Sequence, residues 1–432
     1  LVFNQLNHFK MNNFLFITFL CTSFILAGQK KKSVDNIKYK RNSLSTFLVT
    51  YGDFENKDKL VGAYDNYAFP DKYNDHRVGP KNVDLTNVIL SEKEVSEILN
   101  ELGETKIKYE SRTKLGKAIY GDRYRDSRIE VYRIKKWISE NKIGSMLIDK
   151  WFDNNSDGVF DLDLIIERGL YSASKKDIDN ALAGSAIINT VIEGAVLDII
   201  PQTYLVFNNI SLFSNEVAAT YIRDSAMEKI KTMEEGLVKD LAIKGIEKIY
   251  KKTSEGYTVW TTAYLFKLKW DKFNQLELYS FWGDKPGFLS KNFEVEHVGT
   301  EKANSLITFS LKRSDKGRTV DDIINLATVR NVEKAFSKLT KKYESFKPNI
   351  LLAEISPLTA FIGMKEGLKG GETFEVLNEE YDDKTGKIFY KSVGRIKVNR
   401  KLIWDNRYST AEEPSSNLDR TTFKGKVKKA TL

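Results

Sequence analysis

The sequence predicts an α+β protein with a helical N-terminal part, a central β-α-β-β-α-β domain with an antiparallel sheet, and a small C-terminal β-barrel. Three observations lead to this prediction. Irregular stretches and capped amphipathic helices make up residues 29–200, strands and long helices alternate over 201–356, and short strands with tight turns fill 357–407. At 432 residues, the chain is long enough for several domains with cores of their own.

The first 28 residues have the pattern of an export signal. We interpret Met11 as the initiator, and an uncharged apolar run extends from Phe14 to Ala27, before Gln29 and three lysines. An apolar run of roughly 14 residues is too short to span a bilayer about 30 Å thick. The pattern therefore predicts a secretory signal peptide cleaved near Gly28, a periplasmic or outer-membrane-associated location, and no transmembrane segment after cleavage.

Composition excludes several kinds of site. Cys21, the only cysteine, lies inside the predicted signal peptide, so the mature chain would have neither a disulfide nor a thiolate metal site. Only His76 and His297 would remain, which excludes a zinc site built from several histidines of one chain. For an exported protein, the net charge of +9 makes anionic envelope polymers or lipid headgroups more natural partners than nucleic acid. A solvated surface with a few extra lysines accounts for the same charge, and we favour that interpretation. The partner we expect is an envelope protein or an anionic envelope polymer.

In the N-terminal region, two helices and a third capped segment are predicted. Ser91 and Glu94 form a capping box, and Gly103 is placed to end that helix. A second helix is expected from about residue 129 to 152. Another capping pattern opens the apolar stretch 174–200.

The central domain is predicted from six segments, four with the pattern of strands and two with the pattern of helices. The C-terminal part is predicted from two strands that adjoin tight turns. The strands are expected at 203–213, 256–270, 304–311 and 349–356, and the helices at 215–251 and 320–346. A Gly370-Gly371 turn and a DDKTGK turn at 382–387 bound the strands of the predicted barrel. The polar tail 408–432 is expected to be flexible.

Residues 153–164 match the front half of an EF-hand calcium loop. Ligand-type side chains fall at loop positions one, three, five and nine, namely Asp153, Asn155, Asp157 and Asp161. The twelfth position holds Leu164, where a bidentate carboxylate should close the shell. A turn at Asp157-Gly158, followed by a helix capped by Asp161, explains the same residues without a cation. We favour the turn and expect no cofactor, with Ca²⁺ as the alternative.

A second candidate binding site lies between two proline-containing turns. It consists of Asp71, Tyr73, Asp75 and His76, which could bind a ligand or a metal, or carry out acid–base chemistry. The alternative is a loop held by proline and by side-chain hydrogen bonds to the backbone, and we favour that interpretation because no nucleophile accompanies the cluster.

Aromatic residues recur on one face of the strand predicted at 256–270. Trp260, Tyr264, Phe266 and Trp270 could stack on sugar rings, but the opposite face is apolar too, which favours burial on both sides. No nucleophile elbow, His-Glu-x-x-His motif or dinucleotide fingerprint occurs in the sequence.

Two resemblances carry further expectations. At PDKYNDH (70–76), FDLDLIIERGLYSAS (160–174) and IPQTYLVFNNI (200–210), the chain resembles a family of uncharacterised secreted or periplasmic proteins of Bacteroidota-type bacteria. The segments IGMKEGLKGGETFEV and YKSVGRIKV are similar to the small C-terminal β-barrel of flagellar assembly protein T. That second resemblance implies a non-catalytic periplasmic interaction module.

These observations predict a non-catalytic exported envelope protein that acts in binding or assembly. The alternative is a glycan- or peptidoglycan-binding protein that uses exposed aromatic side chains. A hydrolase that uses carboxylates such as Asp71 and Asp75 is the third interpretation.

Overall fold

The computed structural model describes residues 41–107, 125–152, 163–169, 199–281, 284–307, 319–382, 387–407 and 417–427. Over these residues the fold is α+β, with one mixed and one antiparallel sheet. None of the helices in the described ranges combines the length and the apolar character that a membrane span requires.

The first sheet has the strand order β2-β1-β4-β5-β6, with β3 also paired to β1. Its strands are β1 (Ser43–Thr50), β2 (Asn74–Asp75), β3 (Asn82–Asp84), β4 (Thr203–Ser214), β5 (Tyr257–Leu268) and β6 (Val295–Ile307). The β4-β5-β6 pairs are antiparallel, as predicted for the central domain. β1 runs parallel to β2, β3 and β4, so the complete sheet is mixed.

β1 belongs to a region for which no strand was predicted. Its side chains are buried on both faces of the sheet, with Phe47 and Val49 in one apolar cluster, Leu48 in a second and Leu44 in a third. A short strand buried on both faces lacks the polar-apolar alternation that reveals a strand in a sequence. The sheet therefore contains strands from both the N-terminal region predicted at 29–200 and the central domain predicted at 201–356.

Helices cover both faces of this sheet. In chain order, the described helices are α1 (Lys57–Asp65), α2 (Glu92–Glu101), α3 (Ser127–Glu140), α4 (Ile143–Phe152), α5 (Asp163–Gly169), α6 (Asn215–Lys231), α7 (Leu237–Thr253), α8 (Lys272–Ser280), α9 (Lys285–Ser290) and α10 (Val320–Lys342). Side chains of α3, α4, α5 and α9 pack on one face, and those of α1 and α10 on the other. Asn331 fixes α10 to the sheet by donating to the carbonyl oxygens of Val259 and Ala303.

Local signals at helix ends are confirmed. Ser91 and Glu94 form the predicted capping box, and Gly103 follows that helix with a φ of +66°. The helix predicted over 129–152 is interrupted, because Asn141 ends α3 and Lys142 has a φ of +53° before α4 begins.

The C-terminal strands form a separate antiparallel sheet with the order β7-β8-β11-β10-β9. They are β7 (Leu352–Ile355), β8 (Leu358–Ala360), β9 (Thr373–Asp382), β10 (Lys387–Val398) and β11 (Thr421–Gly425). The strand predicted at 349–356 to complete the central sheet is β7, which pairs with β8 instead. Among the described strands no pairing of β7 with β9 closes the sheet, so a closed barrel is not shown.

Part of the predicted flexible tail is ordered in this sheet. β11 pairs with both β8 and β10, and Phe423 is buried in the apolar cluster beneath them. β11 has only five residues, and a strand this short in a polar segment does not show a recognisable periodic pattern.

Candidate functional site

The four ligand-type residues of the calcium-type loop, Asp153, Asn155, Asp157 and Asp161, lie outside the described residues. Within the described ranges, no group of three or more histidine, cysteine, aspartate or glutamate side chains is placed to hold a metal ion.

The four residues of the second candidate site lie on and beside β2, and each has its own contacts. Asp71 is exposed and pairs with Lys72 beside it. Asp75 accepts a hydrogen bond from Arg77 at 2.9 Å, and burial, which acts to raise the pKa of Asp75, is outweighed by Arg77, so that the pKa is lowered. Tyr73 is buried and donates to the carbonyl oxygen of Phe346 at 2.6 Å. Each side chain is thus engaged with a different neighbour.

His76 is buried at the centre of a polar cluster. Its Nε2 donates to the carbonyl oxygen of Leu147 at 2.9 Å, and its Nδ1 accepts from Arg168 at 2.9 Å, because a guanidinium can only donate. Burial and then the charge of Arg168 hold the pKa of His76 well below its usual value of 6.5. Both ring nitrogens of the neutral imidazole are therefore engaged within the chain.

Arg168 connects this histidine to β1. It donates to the Ser43 hydroxyl at 2.8 Å and to the Asp75 carbonyl oxygen at 3.0 Å, and its guanidinium lies 4.8 Å from the ring centroid of Trp151. The segments around residues 76 and 168, which carry one of the sequence resemblances, therefore meet in the interior. There they join β1 to α4 and α5.

The aromatic face of β5 is buried rather than exposed as a sugar-binding platform. Tyr264, Phe266 and Trp270 are buried, and Trp260 is half-buried. Tyr264 and Phe266 pack in the cluster that also contains Phe207 of β4. The prediction that this face belongs to the core is confirmed.

α6 and α7 form an exposed helical hairpin. The helix predicted over 215–251 is broken at residues 232–236, where Gly236 has a φ of +151°, and the chain folds back on itself. Arg223 of α6 lies 4.4 Å from the ring centroid of Tyr250 of α7. None of the side chains of α7 is buried, and its contacts with described elements are chiefly with α6.

The base of the hairpin is fixed to the sheet. Buried Asn215 donates from its side chain to the carbonyl oxygen of Glu255 at 3.0 Å and accepts from the Thr258 hydroxyl at 2.6 Å. Its backbone N–H donates to the carbonyl oxygen of Gly256 at 3.0 Å. These contacts hold both helices where they leave β4 and enter β5.

Large apolar side chains of α7 face away from the rest of the hairpin. Leu237 is 79% exposed, Val238 70%, Leu241 63% and Ile249 58%. At 100° per residue, these four positions and Gly245 fall on one side of the helix. A contiguous exposed apolar face on a helix marks an interaction surface, whereas single exposed apolar residues need no explanation.

Gly245 lies in the middle of this face. A glycine inside a helix destabilises it by about 1 kcal/mol relative to alanine. A Cβ at Gly245 would meet no atom of the chain within 4 Å, so no packing within the described chain requires the glycine. Contact with a second helix would account for Gly245, because a glycine lets the backbones of two helices approach closely.

Charges are separated along α7 and the turn before it. Glu234, Glu235 and Asp240 lie at the N-terminal end and are exposed, and Lys239, which lies among them, pairs with Glu235. Exposed lysines follow toward the C-terminal end, at positions 244, 248, 251 and 252. Because the three carboxylates outnumber Lys239 and the four lysines outnumber Glu247, the net charges of the two ends of the helix are opposite.

Sequence reasoning missed this surface because it predicted a single continuous helix over 215–251. The TMEEG segment at 232–236 was the available signal, since glycine after a polar stretch is typical of a helix boundary. The apolar face of α7 is exposed because no other described element covers it. The packing of distant elements cannot be predicted from a local sequence pattern.

Comparison of the chain with protein-family models, with curated proteins and with solved structures finds no match.

Proposed function

We propose that this protein is a non-catalytic assembly component of the cell envelope and that it associates with a second copy of itself through the exposed face of α7. The exposed apolar face, with Gly245 at its centre, is the observation that carries the proposal. The envelope location rests on the apolar run of residues 14–27, which has the pattern of an export signal.

The charge separation along α7 favours a second copy in an antiparallel arrangement. When two α7 helices cross at Gly245 with a two-fold axis, the acidic end of each lies beside the basic end of the other. Leu241 of one copy then faces Ile249 of its partner. Helices of 17 residues, about 25 Å long, would bury their apolar faces against each other, and α6 would flank them as in a four-helix bundle.

A membrane surface or an anionic polymer fits this face less well. Anionic lipids attract basic residues beside an inserted apolar face. Here Glu234, Glu235 and Asp240 lie beside the most exposed apolar residues of α7, Leu237 and Val238. These three carboxylates outnumber Lys239, so an anionic surface would repel this end of the helix. Mixed charges of opposite sign at the two ends instead complement a second copy of the same surface.

Sedimentation equilibrium of the purified protein and of Leu241→Ala tests the proposal. Because both copies lose a leucine, each worth about 1.5 kcal/mol or more when buried, we expect the dimer Kd to rise about 100-fold. Leu276→Ala is the matched control, since Leu276 of α8 is 59% exposed and lies outside the hairpin. A monomer at all concentrations, or equal losses for both variants, would overturn the proposal.

Disulfide crosslinking tests the orientation of the pair. In a Cys21→Ser background, which has no other cysteine, a Leu241→Cys chain mixed with an Ile249→Cys chain should form the mixed disulfide. Lys93→Cys on α2, an exposed position, provides the control for random collision. Disulfides that join two Leu241→Cys chains in preference to the mixed pair would show a parallel arrangement and overturn the antiparallel one.

A further inference from the structure

Exposed cationic side chains lie side by side on one face of the C-terminal sheet. Along β10 the side chains alternate, with Ile396 and Val398 buried in the apolar cluster of this sheet. Arg395 and Lys397 of the same strand are exposed on the opposite face. Lys424 of β11 lies directly opposite Lys397 in the antiparallel register and is exposed as well. The three cations are therefore turned away from the apolar cluster.

A fourth exposed cation, Arg400, lies against the turn that precedes β9. Gly370 and Gly371 belong to this turn, and Gly371 has a φ of +91°. A Cβ at Gly371 would lie 3.3 Å from Nε of Arg400 and 3.6 Å from Cε of Lys397, so both cationic side chains border the same glycine. A Cβ at Gly370 would lie only 2.9 Å from Cα of Arg400. The two glycines thus allow Arg400 to approach Lys397.

These four residues, Arg395, Lys397, Arg400 and Lys424, form what we call the basic face. Within the part of the chain that the structure describes, none of the four forms an ion pair. Glu375 of β9 is opposite Arg395 in the strand register but does not pair with it. Glu372, next to the turn, pairs with Lys341 of α10 at 2.6 Å. The four positive charges are therefore available to a ligand from outside the chain.

The opposed lysines of the basic face do not favour the sheet itself. Like charges directly opposite each other destabilise a pair of antiparallel strands. Lys397 and Lys424 are such a pair, and neither contributes its charged end to the core because both are exposed. An anionic group that contacts both ammonium groups removes their repulsion, so the pair is better suited to binding an anion than to stabilising the sheet.

We propose that the basic face binds an acidic polysaccharide, which is a sugar polymer that carries carboxylate groups along its length. Neighbouring strands lie about 4.8 Å apart, and alternate residues of one strand about 6.8 Å apart. Cations at these spacings can contact several carboxylates of one extended polymer chain. The basic face lies outside α7, so this proposal does not depend on self-association.

A lipid surface fits the basic face less well, because membrane binding needs a contiguous apolar face beside the cations. Two large apolar side chains are exposed near the basic face, and they occupy separate positions. Leu377 of β9 lies beside Glu375, which is exposed on the same side of the strand. Leu402 follows β10 and is 37% exposed.

Single-stranded nucleic acid also fits less well. It is typically bound by cations interleaved with aromatic side chains, on which the bases stack. The aromatic residues of these strand segments, Phe374 and Phe423, pack in the apolar cluster on the other side of the sheet. A ligand that is held through its charges alone is therefore favoured.

Calorimetric titration with hexagalacturonate tests the proposal, with neutral maltohexaose as the comparison ligand. We expect binding of hexagalacturonate alone, with an affinity that falls between about 50 mM and about 200 mM salt. The triple variant Arg395→Gln/Lys397→Gln/Lys424→Gln should bind about tenfold or more weakly. The matched control is Lys93→Gln/Lys269→Gln/Lys272→Gln, which removes three exposed cations elsewhere.

Three results would overturn the proposal. The first is absence of hexagalacturonate binding to the folded parent protein at about 50 mM salt. The second is an equal effect of the two triple variants, which would show a response to net charge alone. The third is tighter binding of phosphatidylglycerol vesicles or of a single-stranded oligonucleotide than of hexagalacturonate, which would exclude the ligand class.

Two further variants keep the result separate from folding and from self-association. Lys424→Gln alone should weaken binding without lowering the melting temperature, because it removes one member of the opposed lysine pair. Leu241→Ala should bind hexagalacturonate as the parent protein does, so a failure of the α7 dimer would not be mistaken for a failure of the basic face.

Discussion

The two ends of β1 carry clusters of similar composition that differ in what their polar groups contact. At the first residue, Ser43, the cluster contains His76, Arg168 and Trp151; just beyond the last residue it contains Tyr51, Glu130 and two arginines. In the first cluster, both nitrogens of the imidazole and the arginine are engaged by protein atoms. In the second, a cavity of about 410 Å³ lies beside the carboxylate.

This difference separates a cluster that the fold encloses from one that borders a cavity. A buried titratable group with a shifted pKa occurs in both, so the shift alone does not identify a site. The histidine cluster connects β1, α4 and α5, whose residues are far apart in the chain. We therefore infer that its polar groups stabilise the fold, whereas those around Glu130 border a cavity.

Arg168→Met should have the largest effect on stability. The substitution leaves the Ser43 hydroxyl, the His76 Nδ1 and the Asp75 carbonyl oxygen without their shared donor. Each buried group that loses its partner costs about 1 to 3 kcal/mol, so the free energy of unfolding should fall by about 3 kcal/mol or more. Urea denaturation measures it.

Arg77→Met, one residue after His76, is the comparison for that experiment. It should change the free energy of unfolding far less than Arg168→Met, because Arg77 pairs with Asp75 at the surface, where both side chains are 40% exposed or more, and such pairs contribute about 0 to 1 kcal/mol. Equal losses for the two variants would show that the buried contacts of Arg168 contribute no more than a surface pair.

The pH dependence of stability should have opposite signs at the two clusters. His76 has a lowered pKa in the folded state, so the unfolded chain binds more protons below pH 6.5 and stability is lost as the pH falls through that range. Glu130 has a raised pKa, from 4.5 to about 7, so the folded chain binds more protons and stability is lost as the pH rises between those values. Each slope is at most about 1.4 kcal/mol per pH unit.

The contribution of each group is measured as the difference in free energy of unfolding between the parent protein and the variant that lacks that group. From pH 5 to 7, the parent should gain stability relative to His76→Gln and lose stability relative to Glu130→Gln. Urea denaturation at half-unit pH intervals measures both differences. Differences that do not change with pH would show that neither group titrates differently in the folded and unfolded states.

Local features of the fold were predictable from the sequence, because the interactions that cause them are local. The Ser91–Glu94 capping box and the antiparallel strands β4 and β5 depend on neighbouring residues or on long periodic patterns. The membership of β1 in the sheet and of β11 in the C-terminal sheet depends on partners far away in the chain. Their short apolar patterns did not specify those partners.

One signal for the cavity was present in the sequence but not interpreted. Glu130 lies four residues before Ile134 and seven before Trp137, on the side of α3 that is buried. A carboxylate on the apolar side of a helix is rarely buried without a partner. The identity of that partner could not be predicted, since Tyr51 lies 79 residues earlier in the chain.

Asp75→Asn should have the smallest effect, although Asp75 belongs to the predicted binding cluster. Its carboxylate pairs with Arg77 at the surface, where both side chains are 40% exposed or more, and such pairs contribute about 0 to 1 kcal/mol. The carbonyl oxygen of Asp75, which Arg168 contacts, is unchanged in the variant. Urea denaturation should therefore show a loss below about 1 kcal/mol. A loss close to that of Arg168→Met would contradict this expectation. It would mean that the Asp75 carboxylate, and not only the Asp75 carbonyl oxygen, contributes to the buried cluster.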